Sequence, residues 1–238
     1  MYIIQRPAHS YFTAVALALL ATAGAASAQS APGPPAAITL PETIPIFPLP
    51  DIMLFPGMSV PLHIFEPRYK AMVADALKGN RIIGMVQLRP GYEADYERSP
   101  SIFPVGCAGM IADVEARPDG EYNLVLEAVV KFRITREEAS TPYRIAHVTA
   151  MPEPLAEADK APLHAQRLRL ETLVAAARGR IRLPQIPAGA ADDEVVNGLA
   201  QLADIDMLDK ERLLERDGVL TRGAALIDLL EKAIATPP

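Results

Sequence analysis

The most regular hydrophobic pattern in the chain lies at residues 122–135, where apolar and polar side chains alternate. The even-numbered positions are all apolar, and the odd-numbered positions are mostly polar. A period of two predicts a β-strand with one buried face and one solvated face. Because the turn-forming run Pro118-Asp119-Gly120 precedes it, we predict an antiparallel hairpin with residues 105–116.

Residues 44–69 begin the folded part of the chain and read IPIFPLPDIMLFPGMSVPLHIFEPRY. They predict a short apolar strand, a proline-punctuated loop, a second strand, and then a helix. Pro67 suits the first turn of that helix, where its missing N–H has no partner to lose. Residues 92–104 show no stable pattern and are expected to form an exposed loop. Further strands are predicted at residues 81–88 and 143–151.

The apolar spacing changes after Pro154, where apolar residues recur at helical intervals. Asp192 and its neighbouring acid begin one of these helices, because carboxylates favour a helix N-terminus. Thr221 is predicted to cap the last helix. The sequence therefore predicts an α+β fold, with a strand-rich domain at residues 43–154 and a helical subdomain at residues 155–238.

Residues 1–28 have the features of a secretory signal peptide. They show a weakly positive start, an apolar run, and the small-x-small cleavage site Ala26-Ser27-Ala28. The apolar run is shorter than the roughly 20 residues that a membrane-spanning helix needs. We expect cleavage after Ala28, export to the periplasm or the exterior, and no stable membrane span afterwards; an uncleaved anchor is the alternative. Residues 29–42 are expected to form a flexible leader.

Charge and cysteine content narrow the range of functions. The chain has 23 basic and 29 acidic residues, and the predicted cleavage removes one basic residue, so the mature net charge is −7. Nucleic-acid binding is not expected, because phosphate neutralisation needs a positive surface and an acidic protein of this kind makes a poor general nucleic-acid binder. Cys107 is the only cysteine and lies in an apolar context. We predict that it is a packed core thiol.

The motifs of an ATP-dependent protease are missing from the sequence. No glycine-rich run ends in Gly-Lys-Ser or Gly-Lys-Thr, and no serine lies in a recognisable nucleophile context. The histidines and the cysteine lack the spacing of a metal site. The lysines, Lys131 among them, are interpreted as solvated surface residues. We therefore predict no catalytic site, no cofactor and no metal site.

Two motifs carry a resemblance to a known family, namely Phe55-Pro56-Gly57 and the run IFEPRY at residues 64–69. Together with residues 75–86 and the hairpin at residues 105–134, they resemble the N-terminal substrate-binding domain of Lon protease, in its stand-alone form. The resemblance extends over about residues 44–235. It implies a PUA-like β pseudo-barrel followed by a helical subdomain. It also implies binding of unfolded or degron-bearing polypeptides without the ATPase or Ser-Lys peptidase domains.

Export changes what this resemblance implies, because an exported protein cannot deliver clients to a cytoplasmic protease. An envelope protease is therefore a candidate partner. Three alternatives remain open: an RNA-binding PUA-like module, a hydrolase with an unrecognised site, and a structural or adaptor protein of the cell envelope. The acidic net charge and export count against the first.

The candidate ligand site combines an apolar loop with a charged corner. Methionine and phenylalanine in the loop at residues 51–58 offer an adaptable surface for peptide side chains. We hypothesise that this loop and the loop at residues 92–104 border one peptide groove. The structural alternatives are that the apolar residues close the end of the barrel and that the charged pair fixes the strand-to-helix corner. The candidate peptide-binding residues are Met53, Leu54, Phe55, Met58, Glu66, Arg68 and Tyr92.

Overall fold

The apolar and alternating segments form a six-stranded sheet in the computed structural model, which describes residues 39–96, 98–138, 142–177 and 181–235. The predicted signal peptide, and the leader up to residue 38, lie outside the described residues. The strands are β1 (Thr43–Leu49), β2 (Ser59–Ile64), β3 (Ile82–Leu88), β4 (Ile102–Ala116), β5 (Tyr122–Glu138) and β6 (Arg144–Ala150). The helices are α1 (Pro67–Lys78), α2 (Glu157–Ala176), α3 (Asp192–Leu202), α4 (Met207–Leu214) and α5 (Val219–Ala235), and a 3₁₀ helix spans Tyr92–Asp95.

The long strand β5 closes the sheet into a ring because it has two different neighbours along one edge. Its first half pairs with β2 and its second half pairs with β6, while β4 occupies the opposite edge. The ring therefore runs β5-β4-β3-β1-β6, with β2 as an added outer strand. Only β1 and β3 pair in parallel among the described strands. The predicted α+β fold with a β pseudo-barrel is confirmed.

A bulge in β5 moves the apolar face from one side of the sheet to the other. Two neighbouring residues of β4 pair with Val130 and Ala128, so one residue of β5 is extra. On one side of the bulge, Leu126 packs in a cluster with α1. On the other side, Phe132 packs in a separate cluster with β1, β3 and β6. The single apolar face predicted for residues 122–135 is therefore wrong, and the strand contributes to two cores.

Glycine makes room for Phe132 inside the narrow five-stranded ring. A Cβ atom on Gly84 would lie 2.7 Å from Phe132 Cζ, and one on Gly106 would lie 2.3 Å from the Met85 carbonyl oxygen. Both distances are too short for a real side chain. The ring can therefore close around a fully buried aromatic residue only where β3 and β4 carry no side chain.

The helix boundaries follow the sequence signals with one exception. Pro67 begins α1 and Asp192 begins α3, as predicted. The last helix begins at Val219, two residues before the predicted cap Thr221. The Thr221 hydroxyl instead donates to the carbonyl of Asp217 at 2.9 Å, which is the usual bond of a threonine inside a first helical turn.

The helices α2 to α5 pack against the barrel through a shared apolar cluster. Met53, Phe55 and Val105 join this cluster from the strand-rich part of the chain. From Leu40 onward the chain forms one compact unit. A domain boundary at residue 154 stays a prediction, because the change of secondary structure there does not separate two independent cores.

Arg222 of α5 is fully buried and joins several elements through one side chain. Its Nη2 atom lies 2.7 and 3.0 Å from the two carboxylate oxygens of Glu153. Its Nη1 atom donates to Asn197 Oδ1 at 2.7 Å, and its Nε atom donates to the Leu213 carbonyl at 3.0 Å. The segment after β6 is thereby tied to α3, α4 and α5.

Lys131 brings the barrel into the same network. Its side chain is buried, and its ammonium group pairs with Glu153 and donates to the Arg216 carbonyl at 2.6 Å. The interpretation of Lys131 as a solvated lysine is wrong, because it lies where the helical part covers β5. Burial opposes ionisation of Glu153, but Arg222 and Lys131 outweigh it and hold the pKa of Glu153 below its usual range.

Replacing Glu153 with glutamine is expected to destabilise the fold by about 3–5 kcal/mol, because two buried cations would lose their counter-charge. Urea unfolding at pH 7 measures this change. Glu157→Gln is the matched control, since that carboxylate side chain is 86% exposed, and its loss should cost less than about 1 kcal/mol. Equal effects of the two substitutions would contradict the importance of the network.

Glu211 of α4 is a buried acid without a hydrogen-bond partner among the described residues. It is 1% exposed, and neither carboxylate oxygen has a hydrogen bond. Burial, and secondly the charge of Glu215, raise the pKa of Glu211 to about 8, while Arg89 acts in the opposite direction. At neutral pH the native protein therefore holds Glu211 largely in its protonated form.

Folding is expected to weaken as pH rises from 4.5 to about 8, because the unfolded chain loses the Glu211 proton while the native state retains it. Below that range both states are protonated, so no penalty arises. Glu211→Gln cannot ionise and should match the wild type only near or below about pH 4, where Glu211 is protonated in both states. At pH 8.5 it should be more stable by on the order of 3 kcal/mol, as measured by urea unfolding.

The control for this prediction is Glu215→Gln, at an exposed position one turn further along the chain. It should give a smaller gain of the same sign, because it removes only the second cause of the shift. A stability difference between Glu211→Gln and the wild type that does not change with pH would contradict the buried, protonated state.

Candidate functional site

A pocket of about 510 Å³ opens at one end of the barrel. Its walls come from the ends of β1, β3 and β5, the beginnings of α1 and β6, and residues just before β4. Three tyrosines, three prolines, three arginines and two glutamates account for most of the lining. The volume is in the range of pockets that hold small ligands or a few residues of a peptide.

The pocket exists because the ladder between β1 and β6 stops early. The two strands pair in antiparallel fashion as far as Ile46 with Arg144. Two residues further on, the same register would bring Pro48 opposite Pro142. Neither proline has an N–H group to donate, so the ladder cannot continue through this pair. Both prolines line the resulting pocket.

Glu66 and Arg68 form an ion pair at the corner between β2 and α1, as the structural alternative predicted. Arg68 Nε donates to Glu66 Oε2 at 2.9 Å. Tyr96 joins this pair: its hydroxyl donates to Glu66 Oε1 at 2.7 Å, and its carbonyl accepts from Arg68 Nη1 at 3.1 Å. The guanidinium carbon also lies 4.6 Å from the Tyr69 ring centroid and 4.7 Å from that of Tyr96. Arg68 therefore shapes the pocket wall.

Tyr143 forms another part of the wall and is held by α1. Its hydroxyl donates to Asp75 Oδ2 at 3.0 Å. Burial, followed by this hydrogen bond, raises the pKa of Tyr143. Hydrogen bonds from Lys78 and then from Tyr143 lower the pKa of Asp75. Both shifts keep Tyr143 neutral and Asp75 ionised at physiological pH. The charge of this part of the pocket wall therefore stays constant in that pH range.

The other two arginines of the pocket, Arg144 and Arg98, differ in their hydrogen bonds and in their exposure to solvent. Arg144 is fixed, because Nε donates to Glu137 Oε2 at 2.7 Å and Nη1 donates to the Pro100 carbonyl at 2.7 Å. The Arg98 side chain is 85% exposed, and its ion-pair partner Asp95 is 4.0 Å away. Arg98 is thus the most exposed cation of the pocket and is placed to donate to a carbonyl or carboxylate of a ligand.

The apolar loop residues predicted to bind peptide lie in the core. Leu54 and Phe55 are 1% and 0% exposed, and Met53 is also buried. Met58 is partly buried and packs against two apolar clusters. Gln201 of α3 fixes the loop by accepting from the Phe55 N–H and donating to the first carbonyl of β2, both at 2.9 Å. The loop connects the barrel to the helices, and its peptide-binding role stays a prediction that this burial does not support.

Tyr92 lies beside the pocket, outside its lining, with its ring centroid 6.1 Å from that of Tyr96. The loop predicted at residues 92–104 is shorter than expected, because β4 already begins at Ile102. Its residues border the pocket together with Arg68, whereas the apolar loop contributes no lining residue. This pocket is therefore not the groove hypothesised between the two loops, and that groove stays a prediction.

Sequence reasoning missed several residues of the pocket. The signal for the prolines was present, since Pro48 lies near the end of the first predicted strand and Pro142 stands just before the last. The sequence did not show that these two strands pair or in which register they do so; the fold does. The lining residues missed in this way include Pro48, Tyr96, Arg98, Pro142, Tyr143 and Arg144.

No metal constellation accompanies the pocket in the part of the chain that the structure describes. Within that part, no group of three or more histidines, cysteines and acids could hold a metal ion. Cys107 is fully buried, and burial raises the pKa of its thiol to about 12. It is therefore the packed, protonated core thiol that was predicted.

None of the described helices is both long and apolar enough to cross a membrane.

The closed sheet and its helical tail define a small α+β domain with a pocket at one end of the barrel. The chain belongs to the ATP-dependent protease La (LON) substrate-binding domain family, whose model matches residues 43–232. The Lon protease of Anaeromyxobacter dehalogenans is 27% identical over 221 residues, which cover 87% of this chain and 26% of that protein. Lon protease 2 of Myxococcus xanthus gives the same identity and coverage. The chain thus spans about a quarter of the length of these relatives.

Two solved structures have the same fold. The N-terminal domain of Lon protease from the Mycobacterium avium complex aligns with a TM-score of 0.57 and 19% identity, over 79% of this chain and 98% of that one. A Lon N-terminal domain protein from Xanthomonas campestris aligns with a TM-score of 0.54 and 21% identity, over 78% and 97% of the two chains. The family resemblance inferred from the sequence motifs is confirmed.

Proposed function

We propose that this protein binds unfolded or degron-bearing polypeptides in the pocket at the end of the barrel and leaves their peptide bonds intact. Membership of a substrate-binding domain family supports the binding role. The observation that carries the proposal is the pocket itself, which combines aromatic and proline surfaces with an open strand edge. Such a surface accepts varied side chains and an extended backbone.

The chemistry of the pocket favours polypeptide over nucleic acid. Arg68 and Arg144 are engaged in ion pairs with Glu66 and Glu137, which leaves Arg98 as the exposed cation. A single exposed arginine in the pocket, on a chain whose net charge after the proposed cleavage is −7, is a poor match for a phosphate backbone. The RNA-binding alternative therefore receives no support from the site.

Export to the periplasm is part of the proposal and rests on the signal-like pattern of residues 1–28. In that compartment the protein would serve envelope clients, and an envelope protease is the partner we infer for their removal. Crosslinking in the envelope fraction, followed by identification of the captured chains, addresses the partner directly.

Filling the pocket is expected to weaken client binding without unfolding the protein. Ser99 lines the pocket at an exposed position, so Ser99→Trp should place an indole in the cavity. We expect the Kd for a reduced and carboxymethylated, permanently unfolded protein to rise about tenfold or more by fluorescence anisotropy. The thermal midpoint should stay within about 2 °C of the wild type.

The matched control is Thr149→Trp, which adds the same side chain at an exposed position near the far end of β6. Its Kd should equal that of the wild type. Equal weakening by both substitutions would contradict binding in the pocket. Fragments of the client after prolonged incubation with the purified protein would contradict the non-catalytic role.

Cleavage of the signal is expected to leave Gln29 as the first residue of the protein recovered from the envelope fraction, because Ala26-Ser27-Ala28 fits the small-residue rule of signal peptidases. N-terminal sequencing or intact mass spectrometry measures this. Ala28→Arg should abolish processing. A protein that begins at Met1 and remains in the cytoplasmic fraction would contradict export.

A further inference from the structure

We propose that the gap between Pro48 and Pro142 captures an extended polypeptide through its backbone N–H groups, which donate to the carbonyl oxygen of Pro48. This inference rests on the proposed function and specifies how the client is recognised. Backbone recognition would make binding largely independent of client sequence, while the tyrosine and proline walls accept the side chains.

The direction of the Pro48 carbonyl follows from the phase of the β1–β6 ladder. The N–H of Val148 donates to the carbonyl of Glu42 at 2.8 Å, and Ile44 pairs with Ala146. In an antiparallel pair this places the backbone groups of every second residue of β1 toward β6. Pro48 belongs to that set, so its carbonyl points into the gap.

The β1–β6 pairing recorded for the described residues ends at Ile46 and Arg144. The residue that the register places opposite Pro48 is Pro142, which has no N–H to offer. A carbonyl that points out of a ladder at a buried strand position gains from a hydrogen-bond donor, and a bound peptide can supply one. An extended peptide carries such donors at every second residue along one edge.

The other free edge of the sheet is protected against the same kind of pairing. The Ala128 N–H donates to the Met58 carbonyl, so the odd-numbered residues of β2 direct their backbone groups outward. Of these, Pro61 has no N–H, and the carbonyl of Ser59 already accepts from Gln201 at 2.9 Å. At Ser59 and Pro61 the β2 edge is therefore less suited to strand addition than the end of β1 at the pocket.

The walls of the gap fit an extended chain of a few residues. The two prolines and the Tyr143 ring supply apolar surface on either side. The exposed Arg98 guanidinium lies at the same pocket and can donate to client carbonyl groups, which the Pro48 edge cannot satisfy. The pocket thus offers both an acceptor and a donor to a peptide backbone.

The first test removes single N–H donors from the client. The probe is a labelled 12-residue peptide of alternating threonine and valine with lysine at both ends, bound to the full-length purified protein. Replacing amides by esters at the threonine positions or at the valine positions removes N–H groups without adding bulk. We expect one of the two series to weaken binding about fivefold or more and the other to change it less than about twofold.

The second test supplies the missing donor from the protein. Pro142→Ala restores an N–H opposite the Pro48 carbonyl, so it should extend the ladder and weaken peptide binding about fivefold or more. Pro118→Ala, at an exposed turn position, is the matched control and should bind like the wild type.

The outcomes separate this inference from the proposed function. If both ester series bind like the all-amide peptide, or if Pro142→Ala binds normally while Ser99→Trp does not, backbone capture is overturned and polypeptide binding stands. If the wild type binds neither the peptide nor the unfolded protein, the proposed function fails, and this inference fails with it.

Discussion

The structure depends on one shared carboxylate. Glu153 lies between β6 and α2, and it is the counter-charge of two buried cations, Lys131 from the barrel and Arg222 from the last helix. Each cation alone would be costly in the core, and the carboxylate lowers that cost for both. Lys131 and Arg222 come from different parts of the chain. The helical tail therefore cannot separate from the barrel without leaving one of these cations, or Glu153, without its counter-charge. The sheet and the helices therefore behave as one unit, and the linker after β6 is part of the core.

A second constraint is that backbone hydrogen bonds must close a ring of only five strands. The ring closes because β5 pairs with β4 along one edge and, in its second half, with β6 along the other; a bulge lets β5 bend, and its first half also pairs with the outer strand β2. Closure is incomplete where Pro48 and Pro142 meet, since neither can donate to the other. Gly84 and Gly106 have no side chain where the ring surrounds Phe132. Pro48 and Pro142 have no N–H group where the β1–β6 ladder ends. The two residue types thus divide the barrel into a closed core and an accessible end.

Most of the fold was predictable from local patterns, and most of the site was not. Alternation and apolar spacing located the strands and helices to within a few residues, because each element buries a row of its own apolar side chains. The pattern could not show that the face of β5 switches at a bulge, or that Lys131 enters the core, since both depend on long-range partners. Likewise, Glu66 and Arg68 were recognisable as a charged corner from the sequence. The pocket around Arg68 was not, because its walls come from strand ends that are far apart in the chain.

The arrangement separates the residues that hold the fold from those that would hold a client. Among the described residues, the pocket is lined by barrel strands, the start of α1 and the residues before β4, and by none of α2 to α5. The helices instead cover a different part of the barrel, through Met53, Phe55 and Val105. Substitutions at the residues that line the pocket can therefore leave the Glu153 network intact. Under the proposed backbone capture, the feature that the pocket must preserve is the acceptor at the end of β1, and the pocket walls can vary around it.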